Sequence, residues 1–193
     1  MKKINLITYL ALFAFTACKT NLPYTESMKV DLKQMYTNDQ KAQVYDLKKV
    51  ERKSYSDSME NEFNLLCKKN TKVIKQYFKE YGFPGIKENG EDTSIRFWLI
   101  TQHSDNDVAF QQKVLKAMKT ALKHNNCIPR NYAFLYDRVQ KNLNKLQLYG
   151  TQMVWDSLGK HSPYMVKDPD NLNNRRKAMG LEKMEDYLKG FNH

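Results

Sequence analysis

The sequence predicts a mainly α-helical protein, folded as a single irregular helical domain of about six to seven helices with a short β-hairpin near 146–167. Three observations predict this class. Apolar residues recur every three or four positions over long stretches, runs of β-branched residues are few, and only 7 of the 193 residues are glycine. The length suits one domain with a sizeable core.

The first two helices follow from apolar periodicity and from one strong end signal. A broken apolar stripe predicts a helix over 26–48, and a clearer stripe predicts a second helix over 57–81. Gly82 then offers the conformational freedom of a C-cap, and Pro84 prevents the helix from continuing.

A loop over 85–90 precedes three further helices. The first covers 92–103. The polar segment 104–107 supplies capping residues for a helix over 107–124. The third helix covers 129–142 and begins with a proline, which is favoured at the first helical position.

The helical periodicity stops after residue 145. The segment 146–155 alternates polar and apolar residues around a central glycine, which predicts a short strand that pairs with 163–167. An N-capping aspartate followed by proline at 168–169 opens a helix that ends before Gly180, and 181–188 forms the last short helix.

The N-terminus is typical of a bacterial lipoprotein signal. Lys2 and Lys3 precede an apolar run over 4–15, and Cys18 follows it after small residues. The run is too short to span a bilayer, which takes about 20 apolar residues. An ordinary signal peptide with an incidental cysteine is the alternative. Lipidation of Cys18 predicts a protein anchored in the cell envelope. By resemblance to Gram-negative lipoproteins, Lys19 rather than aspartate after the cysteine favours export to the outer membrane over retention at the inner one.

The predicted organisation therefore has three parts: a signal peptide over 1–17, a lipidated cysteine with a tether over 18–25, and one helical domain over 26–193. The formal charge of +11 falls to +9 when the two lysines of the signal are removed. Because nucleic acid does not suit an envelope address, the expected partners are the membrane, through the lipid, and anionic lipids or glycans. A solvated lysine-rich surface without a specific partner is the alternative.

Two cysteines remain within the domain, Cys67 and Cys127. An oxidising envelope permits them to form a disulfide, whereas a buried free thiol suits the apolar stripe on which Cys67 lies. The spacing of the cysteines matches no zinc motif, and the sequence leaves the cofactor unknown.

His103 and Asp107 form the first cluster with chemical potential. On a continuous helix, residues four apart share a face, so this imidazole and carboxylate are candidates for a metal site or a general base with its orienting group. The alternative is that His103 forms hydrogen bonds at a helix–turn–helix junction while Asp107 caps the next helix.

Asp137 and Arg138 form the second cluster. Neighbours on a helix point about 100° apart, so each needs its own partner, and Arg138 is a candidate for holding an anionic ligand. A buried ion pair that fixes helix register is the alternative.

The third cluster is a polar loop over 147–152, which is a candidate pocket lining because its glycine permits close backbone approach. An ordinary turn whose side chains cap helix ends is the alternative. Its polar members are Gln147, Tyr149, Thr151 and Gln152. Asp39 and Gln40 form a weaker fourth pair, which we expect on a solvated face of the first helix.

Taken in order, these segments resemble an uncharacterised bacterial domain family of unknown function, over about residues 30–190. The matching segments are Asp39-Gln40, Gly82-Phe83-Pro84, Trp98 to Gln111, Asp137-Arg138-Val139, Gln147 to Gln152, Arg176 and Gly180-Leu181. The chain departs from the family at Gln43, where members usually carry arginine. The resemblance implies a mostly helical fold and assigns no activity.

Two functions are therefore predicted, and a structural or immunity-type lipoprotein that acts through its surface is a weaker third. The first is a lipid-anchored envelope protein whose polar clusters form a pocket for a ligand or partner, with Trp98 and Phe110 as walls. The alternative is an envelope hydrolase in which His103 is the general base or a metal ligand, and Asp107, Asp137 or Asp39 orients it. Serine-hydrolase and phosphate-loop signatures do not occur in the sequence.

Overall fold

Eight α-helices and a two-stranded antiparallel sheet make up the part of the protein that its structure, a computed structural model, describes: residues 22–191 without 45, 47, 50 and 51. The helices are α1 Glu26–Ala42, α2 Lys53–Tyr81, α3 Ile86–Asn89, α4 Glu91–Gln102, α5 Val108–Leu122, α6 Pro129–Asn142, α7 Leu172–Ala178 and α8 Met184–Lys189. The strands are β1 Met153–Trp155 and β2 His161–Pro163. The mainly helical class with a short hairpin is thus confirmed, while Cys18 and the expected signal lie outside the described residues.

Four helix ends lie where the sequence predicts them: the start of α1, the end of α2 and both ends of α6. Thr25 caps α1 by accepting a hydrogen bond from the Met28 amide. Gly82 ends α2 with a φ of 77°, and its amide donates to the Phe78 carbonyl. Helix α6 begins at Pro129 and ends at 142, as predicted.

Several boundaries differ from the prediction where the sequence signal is weak. Helix α1 ends at 42 rather than 48, and the predicted loop over 85–90 contains α3. The hairpin is shorter and displaced, since Met153 pairs with Pro163 and Trp155 with His161.

The start of α7 also differs. Asp168 has a left-handed φ of 47° and makes no side-chain cap, and a 3₁₀ turn over 169–171 precedes the helix.

Five helices share one core. Each contributes at least one apolar side chain with no exposed surface, and examples are Leu32, Ile74, Phe97, Met118 and Leu135 from α1, α2, α4, α5 and α6. Aromatic rings surround Phe97, because Tyr24 and Phe83 meet it edge-on and Phe78 stacks on it. Within the described ranges, no helix is both long and apolar enough to cross a membrane.

Cys67 and Cys127 are free, buried thiols, so the disulfide alternative is excluded. Burial raises the pKa of each thiol to about 12, and nearby Asp39 and Asp105 add to the effect at Cys67. Both cysteines are therefore inert packing residues.

Candidate functional site

The chain turns sharply between α4 and α5, and this corner carries the candidate site. Helix α4 ends at Gln102, so His103 and Asp107 do not lie on one continuous helix. Asp107 instead caps α5 by accepting from the Phe110 amide at 2.9 Å, and it pairs with Lys75. The prediction that His103 and Asp107 share a helical face is therefore wrong, and the capping alternative describes Asp107.

His103 takes its carboxylate partner from α1. The Nδ1 atom of His103 lies 2.7 Å from Oδ1 of Asp39, although the two residues are 64 positions apart. Asp39 has no exposed surface. The expectation of a solvated position for Asp39 is therefore wrong, because the turn after α4 covers this side of α1. Gln40 is exposed, as expected.

Two side-chain amides hold the second oxygen of the Asp39 carboxylate. Gln40 and Gln43 donate to Oδ2 at 3.0 and 2.9 Å. Gln43 is the position where the sequence departs from the family pattern, and its amide takes part in positioning the carboxylate. Asp39 is thus fixed by three side chains that approach its two oxygens.

The geometry determines the tautomer of a neutral His103. An ionised carboxylate only accepts hydrogen bonds, so Nδ1 of the imidazole donates to Asp39 and Nε2 keeps its lone pair. The His103 side chain is 16% exposed, and the Phe63 ring meets it edge-on with the ring centres 5.5 Å apart. His103 is therefore oriented from one side while part of its ring remains accessible.

Helix α2 forms one wall of this corner. The Thr71 hydroxyl donates to the Ser104 hydroxyl at 2.8 Å, and Ser104 in turn donates to the Ile100 carbonyl. The charges of Asp39, Asp105 and Arg138 all act on the Cys67 thiol one turn before Thr71. Phe63 of α2 meets the His103 ring and Thr71 bonds to Ser104, so α2 covers this corner.

Arg138 is held at the corner by Asp105, which the sequence prediction did not include in the site. The guanidinium donates through Nε and Nη2 to the two Asp105 oxygens, and through Nη1 to Oε1 of Gln152 at 3.2 Å. Asn142 and Gln111 also donate to Asp105. Burial raises the pKa of Asp105, but the bond and charge of Arg138 together with the bonds from Asn142 and Gln111 outweigh it, so the pKa falls below its ordinary value.

Asp137 has a different environment from its neighbour Arg138. Its carboxylate has no exposed surface and accepts hydrogen bonds from the backbone amides of Leu148, Tyr149 and Thr151, and from the Thr151 hydroxyl. Burial raises the pKa of Asp137, and these donors limit the rise. Asp137 therefore organises the following loop, and no arginine pairs with it among the described ion pairs.

The polar loop over 147–152 uses its hydrogen-bonding groups within the protein. The Gln147 amide donates to the carbonyls of Gln152 and Tyr164 and accepts from the Gln152 amide, and Gln147 has no exposed surface. Gly150 has a φ of 65°, the left-handed conformation that its turn requires. Buried Arg176 donates to the Tyr149 carbonyl at 2.7 Å. A role of this loop in lining a pocket stays a prediction.

Comparison with known proteins places the whole helical domain in one family. The profile of a family of unknown function matches residues 27–193. The chain belongs to this family, DUF6624. The resemblance expected from the sequence is thus confirmed at the level of the family. Neither a curated protein nor a solved structure matches this DUF6624 chain.

Three buried polar atoms of the DUF6624 domain have no hydrogen-bond partner in the described part: Nδ2 of Asn70, Nε1 of Trp98 and Oε1 of Gln102. Trp98 and Gln102 lie one turn apart on α4, and Gln102 directly precedes His103. These atoms could not be predicted from the sequence, because an unpaired group is visible only once the partners of its neighbours are known. Among the described residues, no group of three or more metal-ligating side chains is placed to hold an ion.

Proposed function

We propose that this protein is a lipid-anchored hydrolase of the bacterial cell envelope in which His103 is the general base and Asp39 orients it. One observation carries the proposal: the 2.7 Å contact between Nδ1 of His103 and the fully buried carboxylate of Asp39. A carboxylate in this position fixes the imidazole orientation and stabilises the imidazolium that forms during proton transfer. The two glutamine amides on Asp39 support the same geometry.

Water is the nucleophile in this proposal. The nearby Cys67 thiol has a pKa raised to about 12, and the Ser104 hydroxyl is engaged on both sides, so neither suits nucleophilic attack. His103 accepts a proton from water at Nε2 while the water oxygen bonds to the electrophilic carbon or phosphorus of the substrate. The imidazolium then gives that proton to the leaving group as the scissile bond breaks.

Arg138 supports a substrate that carries or develops negative charge. A guanidinium has five N–H donors, and Arg138 uses three of them on Asp105 and Gln152. The remaining donors lie on a side chain that is 28% exposed. The Asp105 carboxylate fixes the guanidinium plane, so little side-chain freedom is lost when an oxyanion binds. The proposed substrate class is therefore an ester or phosphoester with an anionic group.

The lipid anchor is the second part of the proposal. It is supported by the order of the N-terminal segment, in which two lysines precede an apolar run and Cys18 follows it. Two acyl chains on Cys18 would hold the domain stably at a membrane, since each buried CH₂ contributes about 0.8 kcal/mol. Intact-mass analysis of protein purified from membranes tests it. The expected mass is that of a chain beginning at Cys18 plus a diacylglycerol, whereas an unmodified Cys18 would exclude the anchor.

A second candidate function is ligand binding without catalysis. The unpaired Oε1 of Gln102, buried directly before His103, favours it because such an atom gains a partner when a donor binds. The same corner serves both functions, so turnover is the property that separates them.

The experiment is a hydrolysis screen with chromogenic carboxylic esters, phosphoesters and glycosides, using wild type, His103→Gln and Asp39→Asn. Loss of a general base lowers the rate by about 10²–10⁴-fold, and we expect this range for His103→Gln. His124→Gln is the matched control, because His124 is exposed at the end of α5 and should retain full activity. Hydrolysis that survives His103→Gln, or no hydrolysis of any class, would contradict the proposed reaction. Ligand-induced thermal stabilisation without turnover would support the binding candidate.

A further inference from the structure

A cavity of about 310 Å³ lies between α1 and α2, a volume at the small end of the range for ligand pockets. Its lining residues recur three and four positions apart on both helices, so one face of each helix forms it. We call it the α1–α2 cavity. It shares no residue with the His103–Asp39 contact.

The most buried lining residue of the α1–α2 cavity has an unused hydrogen-bond donor. Asn70 is 5% exposed, and its Nδ2 atom has no partner in the described part of the chain. A buried N–H without a partner is unfavourable, and it gains one when a ligand with an acceptor oxygen fills the cavity. The half-buried side chains of Met35, Leu66 and Val73 offer apolar surface beside it.

Two more side-chain amides line the cavity from α1. Nε2 of Gln34 donates to Oδ1 of Asn38 at 2.8 Å, which leaves Oε1 of Gln34 as an acceptor and Nδ2 of Asn38 as a donor. A carboxamide carries the same N–H and C=O groups as a peptide bond, so three of them in one lining match the backbone of a peptide.

The two helices that form the cavity run antiparallel. Near the end of α2, the Tyr77 hydroxyl donates to Oδ2 of Asp31, which lies near the start of α1. In the first half of α2, Phe63 meets the ring of His103, the partner of Asp39 near the end of α1. Positions along one helix can therefore be compared with positions along the other.

The α1–α2 cavity has one carboxylate and one ammonium group at opposite ends. Asp31 lies at the level of Tyr77, and Lys69 lies eight residues earlier on α2, which is about 12 Å along the helix. Neither Asp31 nor Lys69 forms an ion pair within the described ranges. The lining therefore complements a ligand that carries an ammonium and a carboxylate about 10 Å apart.

We infer that the α1–α2 cavity binds a short zwitterionic peptide of about three residues. Three extended residues span about 10 Å, whereas a single amino acid spans only about 3.5 Å. The N-terminal ammonium binds Asp31, the C-terminal carboxylate binds Lys69, and Nδ2 of Asn70 donates to a peptide carbonyl between them. An apolar side chain of the peptide packs on the apolar part of the lining. This site rests neither on the proposed hydrolysis nor on the proposed anchor.

The test is isothermal titration calorimetry of the purified full-length protein with the tripeptide Ala-Leu-Ala. Asp31→Asn and Lys69→Gln should each weaken binding about fivefold, the upper range for an exposed ion pair. N-acetylation of the peptide should cost the same factor, and Asp31→Asn should then weaken the acetylated peptide no further. Lys72→Gln is the matched control, because Lys72 is exposed on α2 outside the cavity and should leave the affinity unchanged.

Asn70→Leu separates a binding role from a structural one. The variant replaces the amide by an apolar group of similar shape, and it should weaken binding of Ala-Leu-Ala about fivefold. Without peptide, its melting temperature should be equal to that of the wild type or higher, because an unpaired buried donor has been removed.

Four results would overturn the inference. They are the absence of Ala-Leu-Ala binding, equal affinity for free leucine, equal affinity for the peptide blocked at both ends, and full affinity in Asn70→Leu. The hydrolysis screen with His103→Gln tests a different set of residues, so failure of the peptide site and failure of the proposed hydrolysis are distinguishable.

Discussion

Asp137→Ala tests whether the buried Asp137 carboxylate stabilises the loop that follows α6. The substitution removes the acceptor of three backbone amides, those of Leu148, Tyr149 and Thr151, which lie 2.8 to 3.2 Å from the carboxylate. Each buried N–H left unpaired costs about 1–3 kcal/mol. Leu148 is only half-buried, so water can reach part of the loop and reduce the total. We expect a loss of about 4 kcal/mol from the free energy of unfolding, a large share of the roughly 5–15 kcal/mol typical of a domain.

Urea unfolding followed by tryptophan fluorescence measures this loss. Asp156→Ala is the matched control, because Asp156 also accepts two backbone amides, from Leu158 and Lys160, but it lies in an exposed turn. The control should cost less than about 1 kcal/mol. Amide hydrogen exchange should accelerate at residues 148–151 in Asp137→Ala. Equal destabilisation by Asp137→Ala and Asp156→Ala would show that burial of the three amides is not the reason why Asp137 stabilises the protein.

Three further predictions concern stability and thiol chemistry. The pKa of Asp105 is lowered in the folded state, so its contribution to stability is complete above the ordinary value of 3.8 and is lost as pH falls below it. Asp105→Asn should therefore flatten the fall of the urea midpoint in that acid range, and an unchanged slope would contradict this. Gly85→Ala should cost about 1–3 kcal/mol in urea unfolding because its Cβ would overlap a buried asparagine amide. Gly190→Ala should change stability by less than about 0.5 kcal/mol, and equal effects at both glycines would refute the overlap. The thiols of Cys67 and Cys127, with pKa values raised to about 12, should resist Ellman's reagent in the native protein and react in urea, so rapid native reaction would contradict their burial.

Helices with local start and stop signals could be predicted from the sequence. Pro129 at the first position and a clear apolar stripe gave the ends of α6, and Gly82 gave the end of α2. Helix α1 lacks such a signal at its end, and its predicted length was accordingly too great. The ends of these helices were therefore predictable only where a nearby residue, such as proline or glycine, marks them.

The candidate site was harder to predict, because its contacts join distant parts of the chain. Nothing near Asp39 in sequence shows that His103, 64 residues later, covers it. Asp105 occurs in a polar turn where capping was the simpler interpretation, and its pairing with Arg138 depends on the packing of α6. The partners of Asp137 are backbone amides, which every residue except proline possesses and which no sequence pattern distinguishes.

The most direct test of the central claim is long-range ¹H–¹⁵N NMR of the imidazole of His103. Asp39 holds the neutral ring with its proton on Nδ1, which leaves Nε2 as the base. The spectrum of the wild type should show this single tautomer, and Asp39→Asn should lose it while an exposed ring such as His124 is unaffected. A proton found on Nε2, or a His103 spectrum unchanged by Asp39→Asn, would contradict the account.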